Sequence, residues 1–235
     1  QQRMLSQRIA KSYLMLGSQV RPDVANQQLD QSLASFESNQ QALDDYAPTA
    51  TIRQQLHSAS QLWQDYRQLA LSPADQAHAM QLLAQADVLL AQSEQLVSLI
   101  EAHAGGGTAQ LINRSGRQRM LSQRIASLYL ALSWKLPVAQ LQQQFQQAVD
   151  EFDQSLKTLQ AAPQNNPAIS ARLDKAQAQW TFSQAGFRLS GDARYVPTLI
   201  TTTSETLLQQ MEGLTLAYTQ LLGSPPATPA APSAN

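Results

Sequence analysis

The octet Arg3-Met-Leu-Ser-Gln-Arg-Ile-Ala10 occurs a second time, letter for letter, as Arg119-Met-Leu-Ser-Gln-Arg-Ile-Ala126. An identity of this length at a spacing of 116 residues marks a tandem duplication. The spacing holds through Phe36-Glu37 and Phe152-Asp153 to Leu43 and Leu159. One added residue then brings Ile52, Leu56 and Trp63 onto Ile169, Leu173 and Trp180. A loss of six residues between 70 and 86 would place Ser93-Glu94 on Ser204-Glu205. Length changes confined to joints between segments in register are those of loops between fixed helices. The division expected is a first unit at 1–104, a glycine linker at 105–107, a second unit at 108–222 and a tail at 223–235. Gln1 aligns with Arg117, so the first copy lacks a counterpart of Thr108–Gly116 and its start reads as truncated.

Apolar residues make up 43% of the chain, enough for a buried core, and glutamine fills the polar faces where only 14% of residues are charged. A net charge of −1 argues against a nucleic-acid binder, which needs a basic surplus. Without cysteine there is no disulfide scaffold or thiolate site. No apolar run reaches the ~20 residues that span a bilayer, so no membrane segment is expected within the chain. The Pro/Ala-rich tail has no core-forming residues and reads as disordered.

Proline and glycine punctuate segments of helical spacing. Helices are predicted near 1–20, 24–46, 50–71 and 75–103, and again near 108–135, 138–161, 167–189 and 193–222. Arg21-Pro22-Asp23 is expected to cap the second, Pro73 to open the fourth, and Pro137, Pro163, Pro167 and Gly191 to mark the later joints. Patterns such as Phe145/Val149/Phe152/Leu156/Leu159 are amphipathic-helical, and nothing alternates like a strand. The fold class is all-α: two antiparallel four-helix bundles related by a pseudo-twofold axis. Gly105–Gly107 either bends the chain or interrupts one long helix.

On the first helix, Leu5, Ile9, Tyr13 and Leu16 form a core stripe, repeated as Leu121, Ile125, Tyr129 and Leu132. A second stripe carries Arg3, Gln7, Ala10, Leu14 and Gly17, repeated as Arg119, Gln123, Ala126, Leu130 and Ser133. Its small residues suit close approach of another helix, and the twin first helix is the expected neighbour, as in an isologous dimer. Arg3 would then face Arg119, with Arg8 and Arg124 on the flank and Arg117 near the entrance. Two guanidinium groups ~4 Å apart at an effective dielectric of ~20 repel by ~4 kcal/mol. A small oxyanion between the forks would reverse that sign. The alternative is that these arginines are solvated or paired with carboxylates of neighbouring helices.

Gln110-Leu-Ile-Asn113-Arg-Ser-Gly116-Arg-Gln-Arg119-Met-Leu-Ser122-Gln-Arg124 resembles the opening helix of the PilJ-type domain of type IV pilus chemotaxis transducers. It is also similar to the NarX-like nitrate/nitrite sensor input domain. The likeness covers some fifteen residues in the second copy and eight to ten in the first. It implies a bacterial, extracytoplasmic (periplasmic) four-helix sensor. In its nitrate-sensing branch, paired arginines on two first helices hold one anion; the matching positions are Arg119 and Arg3, with the later motif arginine at Arg124 and Arg8. Asn113 and Gly116 fit the family pattern, with Arg114 between them. Here both copies lie on one polypeptide.

The expected ligand-binding set is therefore Arg3, Arg119, Arg8, Arg124, Gln7, Gln123 and Arg117, with nitrate or nitrite as the oxyanion. A signalling partner or output module is also expected, and no cofactor. His57, His78 and His103 have no spacing for a metal. Met4/Met120 and Trp63/Trp180 read as core. Glu37/Asp153 and Glu94/Glu205 would be catalytic only if buried together, and no nucleophile or phosphate-loop motif is present, so an enzyme is not expected. The competing function is a helical protein-interaction module of a chemotaxis or pilus system, with no small ligand.

Overall fold

A computed structural model describes residues 1–104, 107–187 and 195–223; among these there are eight helices and no strand. They are α1 (Gln2–Gly17), α2 (Pro22–Tyr46), α3 (Ala50–Ala70), α4 (Gln76–Ala104), α5 (Gly107–Ser133), α6 (Leu141–Gln160), α7 (Pro167–Phe187) and α8 (Tyr195–Gly223). Residues 105–106 of the expected linker, the joint at Gly191 and the tail beyond Gly223 lie outside the described residues.

The joints follow local chemistry. α1 and α5 close on the same left-handed turn, at Gln19 (φ 57°) and Lys135 (φ 56°), where Val20 N–H donates to Met15 O and Leu136 N–H to Ala131 O. Pro22 occupies the first turn of α2, but Asp23 is inside that turn, and the cap position belongs to Arg21 with no side-chain bond. Pro73 does not open α4. Its carbonyl accepts the Tyr13 hydroxyl at 2.6 Å, and Asp75 caps the helix by accepting the His78 N–H at 2.9 Å. α6 starts three residues later than expected, because Val138 N–H turns back to Leu136 O and Gln140 is left-handed at φ 59°.

Helices α1–α4 form one antiparallel bundle and α5–α8 the other, with α1 packed against α5. Arg117 pairs with Glu94, and Arg124 with Asp87, at matching distances from the ends of α5 and α4. The chain therefore reverses between these two helices and does not continue as one rod. α1 and α5 consequently run parallel at the centre. A single apolar core draws on all eight helices, so the two copies share a buried interior across the seam. Twin aromatic pairs anchor it: Phe36 stacks on Trp63 at 3.9 Å, and Phe152 packs against Trp180 at 4.2 Å with the rings tilted by 34°. Met4 and Met120 are buried with them.

Two expectations about register change. Gln7 Nε2 donates to Ala86 O at 3.3 Å, and its twin Gln123 Nε2 donates to Ser204 O at 3.2 Å. Ala86 and Ser204 are 118 residues apart, as are Asp87 and Glu205, and Glu94 and Glu212. The counterpart of Glu94 is thus Glu212, not Glu205; the fourth helices gain a residue where the sequence alignment removed six.

The second change concerns α1. The stripe of Arg3, Gln7, Ala10 and Leu14 faces mainly α4 of its own bundle, and that of Arg119, Gln123 and Ala126 faces α8. A first helix at the centre of two bundles has three packed faces, and the one that reaches the other bundle carries Arg8 and Lys11, or Arg124 and Ser127. Close approach does occur at the base of the seam. A Cβ on Gly17 would collide with the Trp134 ring and lie 2.9 Å from Ala74 O.

Candidate functional site

Every polar residue of the repeated motif performs the same fastening in both copies. Gln2 and Gln118, just ahead of the octets, donate to Phe36 O and Phe152 O on the second helices. Ser6 and Ser122 return to Arg3 O and Arg119 O one turn back. Arg3 Nη1 meets Glu94 Oε2 at 2.8 Å, and Arg119 Nη2 meets Glu212 Oε1 at 3.1 Å, each on the fourth helix of its own bundle. Arg8 crosses to Glu205 of the second bundle, through Nη2–Oε2 at 2.7 Å and Nε–Oε1 at 3.2 Å. Arg124 crosses in the opposite sense to Asp87, with a 3.4 Å contact to Gln7 Oε1. The motif is a set of helix-to-helix ties.

The expected facing of bare Arg3 and Arg119 therefore gives way to two carboxylate pairs. The physical reason is burial. Arg3 is 7% exposed and Arg119 9%, and a guanidinium so far from water needs a counter-ion. Burial holds Arg3 below its ordinary pKa; Glu94 opposes that shift, while Arg117 and Arg119 add to it. The two arginines still feel each other, but the carboxylates have removed the repulsion that called for an external anion.

A cleft of about 600 Å³ lies at the end of the seam near the start of α5. Arg3, Arg114 and Arg117 line it opposite Glu94, Glu101 and Glu151. Within it one carboxylate spans both copies: Glu94 Oε2 binds Arg3 of α1, and Glu94 Oε1 binds Arg117 of α5. Arg117 also holds Glu151 of α6, and Arg3 Nη2 donates to Asn113 O at 3.2 Å. Burial presses the Arg117 pKa down, but Glu151 and Glu94 outweigh it and hold it above the ordinary value. Asn113 Nδ2 donates to Glu101 Oε2 at 2.5 Å.

Of the expected set, Arg3 and Arg117 share this cleft; Arg119 and Gln123 lie on the α8 side, while Gln7, Arg8 and Arg124 sit further along the seam. Sequence reasoning left out the acids Asp87, Glu101, Glu151 and Glu212, and Lys11. For Asp87 and Glu212 the signal was present: Asp87 and Glu94 are seven apart, and so are Glu205 and Glu212. Acids seven apart lie on one face of a helix, and on α4 and α8 that face meets the arginines of the first helices.

No helix among the described residues is long and apolar enough to cross a membrane. A family model described as type IV pili methyl-accepting chemotaxis transducer N-term (PilJ) matches the chain twice, at residues 1–93 and 103–193. No curated protein and no solved structure matches it.

Proposed function

The chain belongs to the PilJ family of type IV pili methyl-accepting chemotaxis transducer N-terminal domains, in tandem copy, and from that membership we propose a non-enzymatic, extracytoplasmic sensor in which the α1/α5 seam is the moving part. Its ligand is a small oxyanion, nitrate or nitrite first, as in the NarX-like branch that the motif resembles. The observation that carries this reading is Glu94, whose carboxylate already bridges Arg3 of one copy and Arg117 of the other. A planar oxyanion offers the same two acceptor edges to two guanidinium forks. Glu94 is 28% exposed in its side chain and can swing to water when displaced. The anion would then hold α1 to α5 without holding α4, and the freed fourth helix would shift the bundles for a signalling partner to read.

Calorimetric titration with nitrate, nitrite, sulfate and chloride tests this. Glu94→Gln removes the internal competitor and is expected to bind nitrate more tightly than the unmodified chain. Arg3→Ala or Arg117→Ala is expected to lose it. Absence of heat with every anion in folded Glu94→Gln would overturn the reading.

The second reading, a helical interaction module without a small ligand, is favoured by one observation: Arg3, Arg8, Arg117, Arg119 and Arg124 all have carboxylate partners within the chain. A null titration in Glu94→Gln supports it.

A further inference from the structure

The two crossings of the seam are unequal. On one side Glu205 accepts two cations, Arg8 and Lys11, and Lys11 is fully buried. On the other side, among the described residues, Asp87 accepts Arg124 alone, and the counterpart of Lys11 is Ser127. Ser127 is 1% exposed, and its Oγ has no hydrogen-bond partner. It lines a cavity of about 160 Å³ together with Asp87, Arg124 and Gln144, and the remaining wall is apolar, including Met80, Leu83 and Leu141. The two copies thus share a carboxylate and its arginine but differ at the lysine, with space and an orphaned hydroxyl on one side where an ammonium stands on the other.

We propose that this cavity binds a small primary amine with an apolar body, its ammonium taking the place against Asp87 and Ser127 that Lys11 takes against Glu205. An ammonium has three donors and no acceptor need, and Asp87, the Ser127 hydroxyl and the Gln144 amide oxygen offer acceptors around it. The volume fits about six to eight heavy atoms, since an apolar cavity of roughly 150 Å³ admits benzene. Met80, Leu83 and Leu141 cover the alkyl part. The bound amine would tie α4 to α5 as Lys11 ties α1 to α8, evening the two sides of the seam. The site is separate from the Arg3/Arg117 cleft and stands whether or not that cleft takes an anion.

The test is calorimetry at neutral pH with 3-methylbutan-1-amine, with 3-methylbutan-1-ol as the neutral analogue. The amine is expected to bind one per chain, and the alcohol about tenfold or more weakly, because it lacks the charge that pairs with Asp87 and keeps one donor in place of three. Asp87→Asn is expected to weaken the amine by about tenfold or more. Ser127→Lys supplies a tethered ammonium, and is expected to abolish amine binding. Equal binding of amine and alcohol, no binding of either, or amine affinity unchanged in Asp87→Asn would each overturn the proposal. Should Ser127→Lys fail to fold, the Asp87→Asn comparison decides alone. Nitrate titration of the same samples reads the other site.

Discussion

Arg8 of the first copy and Glu205 of the second meet across the seam in a two-point pair, with Nη2–Oε2 at 2.7 Å and Nε–Oε1 at 3.2 Å. The twin pair, Arg124 with Asp87, runs the opposite way between the same four helices. Each bundle therefore supplies the arginine of one tie and the carboxylate of the other. This explains why the octet has stayed identical while the rest of the copies diverged: its second arginine is fixed by the partner bundle, and its first by its own.

The two ties differ in exposure, and that sets their worth. Arg8 and Glu205 are 17% and 20% exposed in their side chains, whereas Asp87 is 43% exposed. A double-mutant cycle of Arg8→Ala with Glu205→Gln is expected to give a coupling of about 1–3 kcal/mol in urea unfolding. The cycle of Arg124→Ala with Asp87→Asn should give about 0.2–1 kcal/mol, the range of a solvent-screened pair. Equal couplings would contradict the asymmetry.

Gly17→Ala separates helix propensity from packing. Alanine favours a helix interior by about 0.5–1 kcal/mol over glycine, and by less at Gly17, the last residue of α1. Here the new methyl meets the Trp134 ring and lies 2.9 Å from Ala74 O, so overpacking decides the sign. The expected result is a net loss of roughly 1–3 kcal/mol in unfolding free energy. In a Trp134→Ala background the loss should shrink and not vanish, since the Ala74 carbonyl remains.

The eight helices are legible in the sequence, whereas the register of the fourth helices and the neighbour of each α1 stripe are not. The octet and the prolines located eight helices, because a copied motif and missing backbone donors are local signals. The fourth helices were misaligned by seven residues, since their buried positions recur with that period: Leu82, Ala86, Leu89, Ser93 and Leu96 in one, Ile200, Ser204, Leu207, Met211 and Leu214 in the other. A slip of one heptad still sets Leu89, Ser93 and Leu96 on Ile200, Ser204 and Leu207, all of them buried. Only polar contacts distinguish the registers, as Gln7 with Ala86 and Gln123 with Ser204 show. The facing of Arg3 and Arg119 failed similarly. Helical spacing gives the angle between stripes, but not which of three neighbours each stripe meets.

Glu94 and Glu151 both hold Arg117, yet they should respond differently to truncation. Glu94 is also the counter-ion of Arg3, which is 7% exposed. Glu94→Ala therefore strands a buried guanidinium and is expected to cost about 2–4 kcal/mol. Glu151 is 39% exposed and serves Arg117 alone, so Glu151→Ala should cost under about 1 kcal/mol. Chemical unfolding of the two variants at one ionic strength checks the order.

Lys11 predicts an unusual rise of stability with pH. Burial lowers its pKa from 10.5 to about 8, against the pull of Glu205, while Arg8 and Arg21 add to the lowering. In the unfolded chain Lys11 stays protonated to about pH 10.4. Between these values the unfolded state binds more protons than the folded one, so stability increases as pH rises from about 8 towards 10.4. Below pH 8 the full cost of a buried ammonium is present, and it amounts to about 3 kcal/mol by linkage. Lys11→Met keeps the volume and removes the titration. The expected outcome is a urea midpoint that climbs between pH 7.5 and 10 in the unmodified chain by more than in Lys11→Met, as read by the difference between the two curves. Parallel curves would mean that Glu205 holds the lysine charged throughout, with a folded pKa close to that of the free side chain.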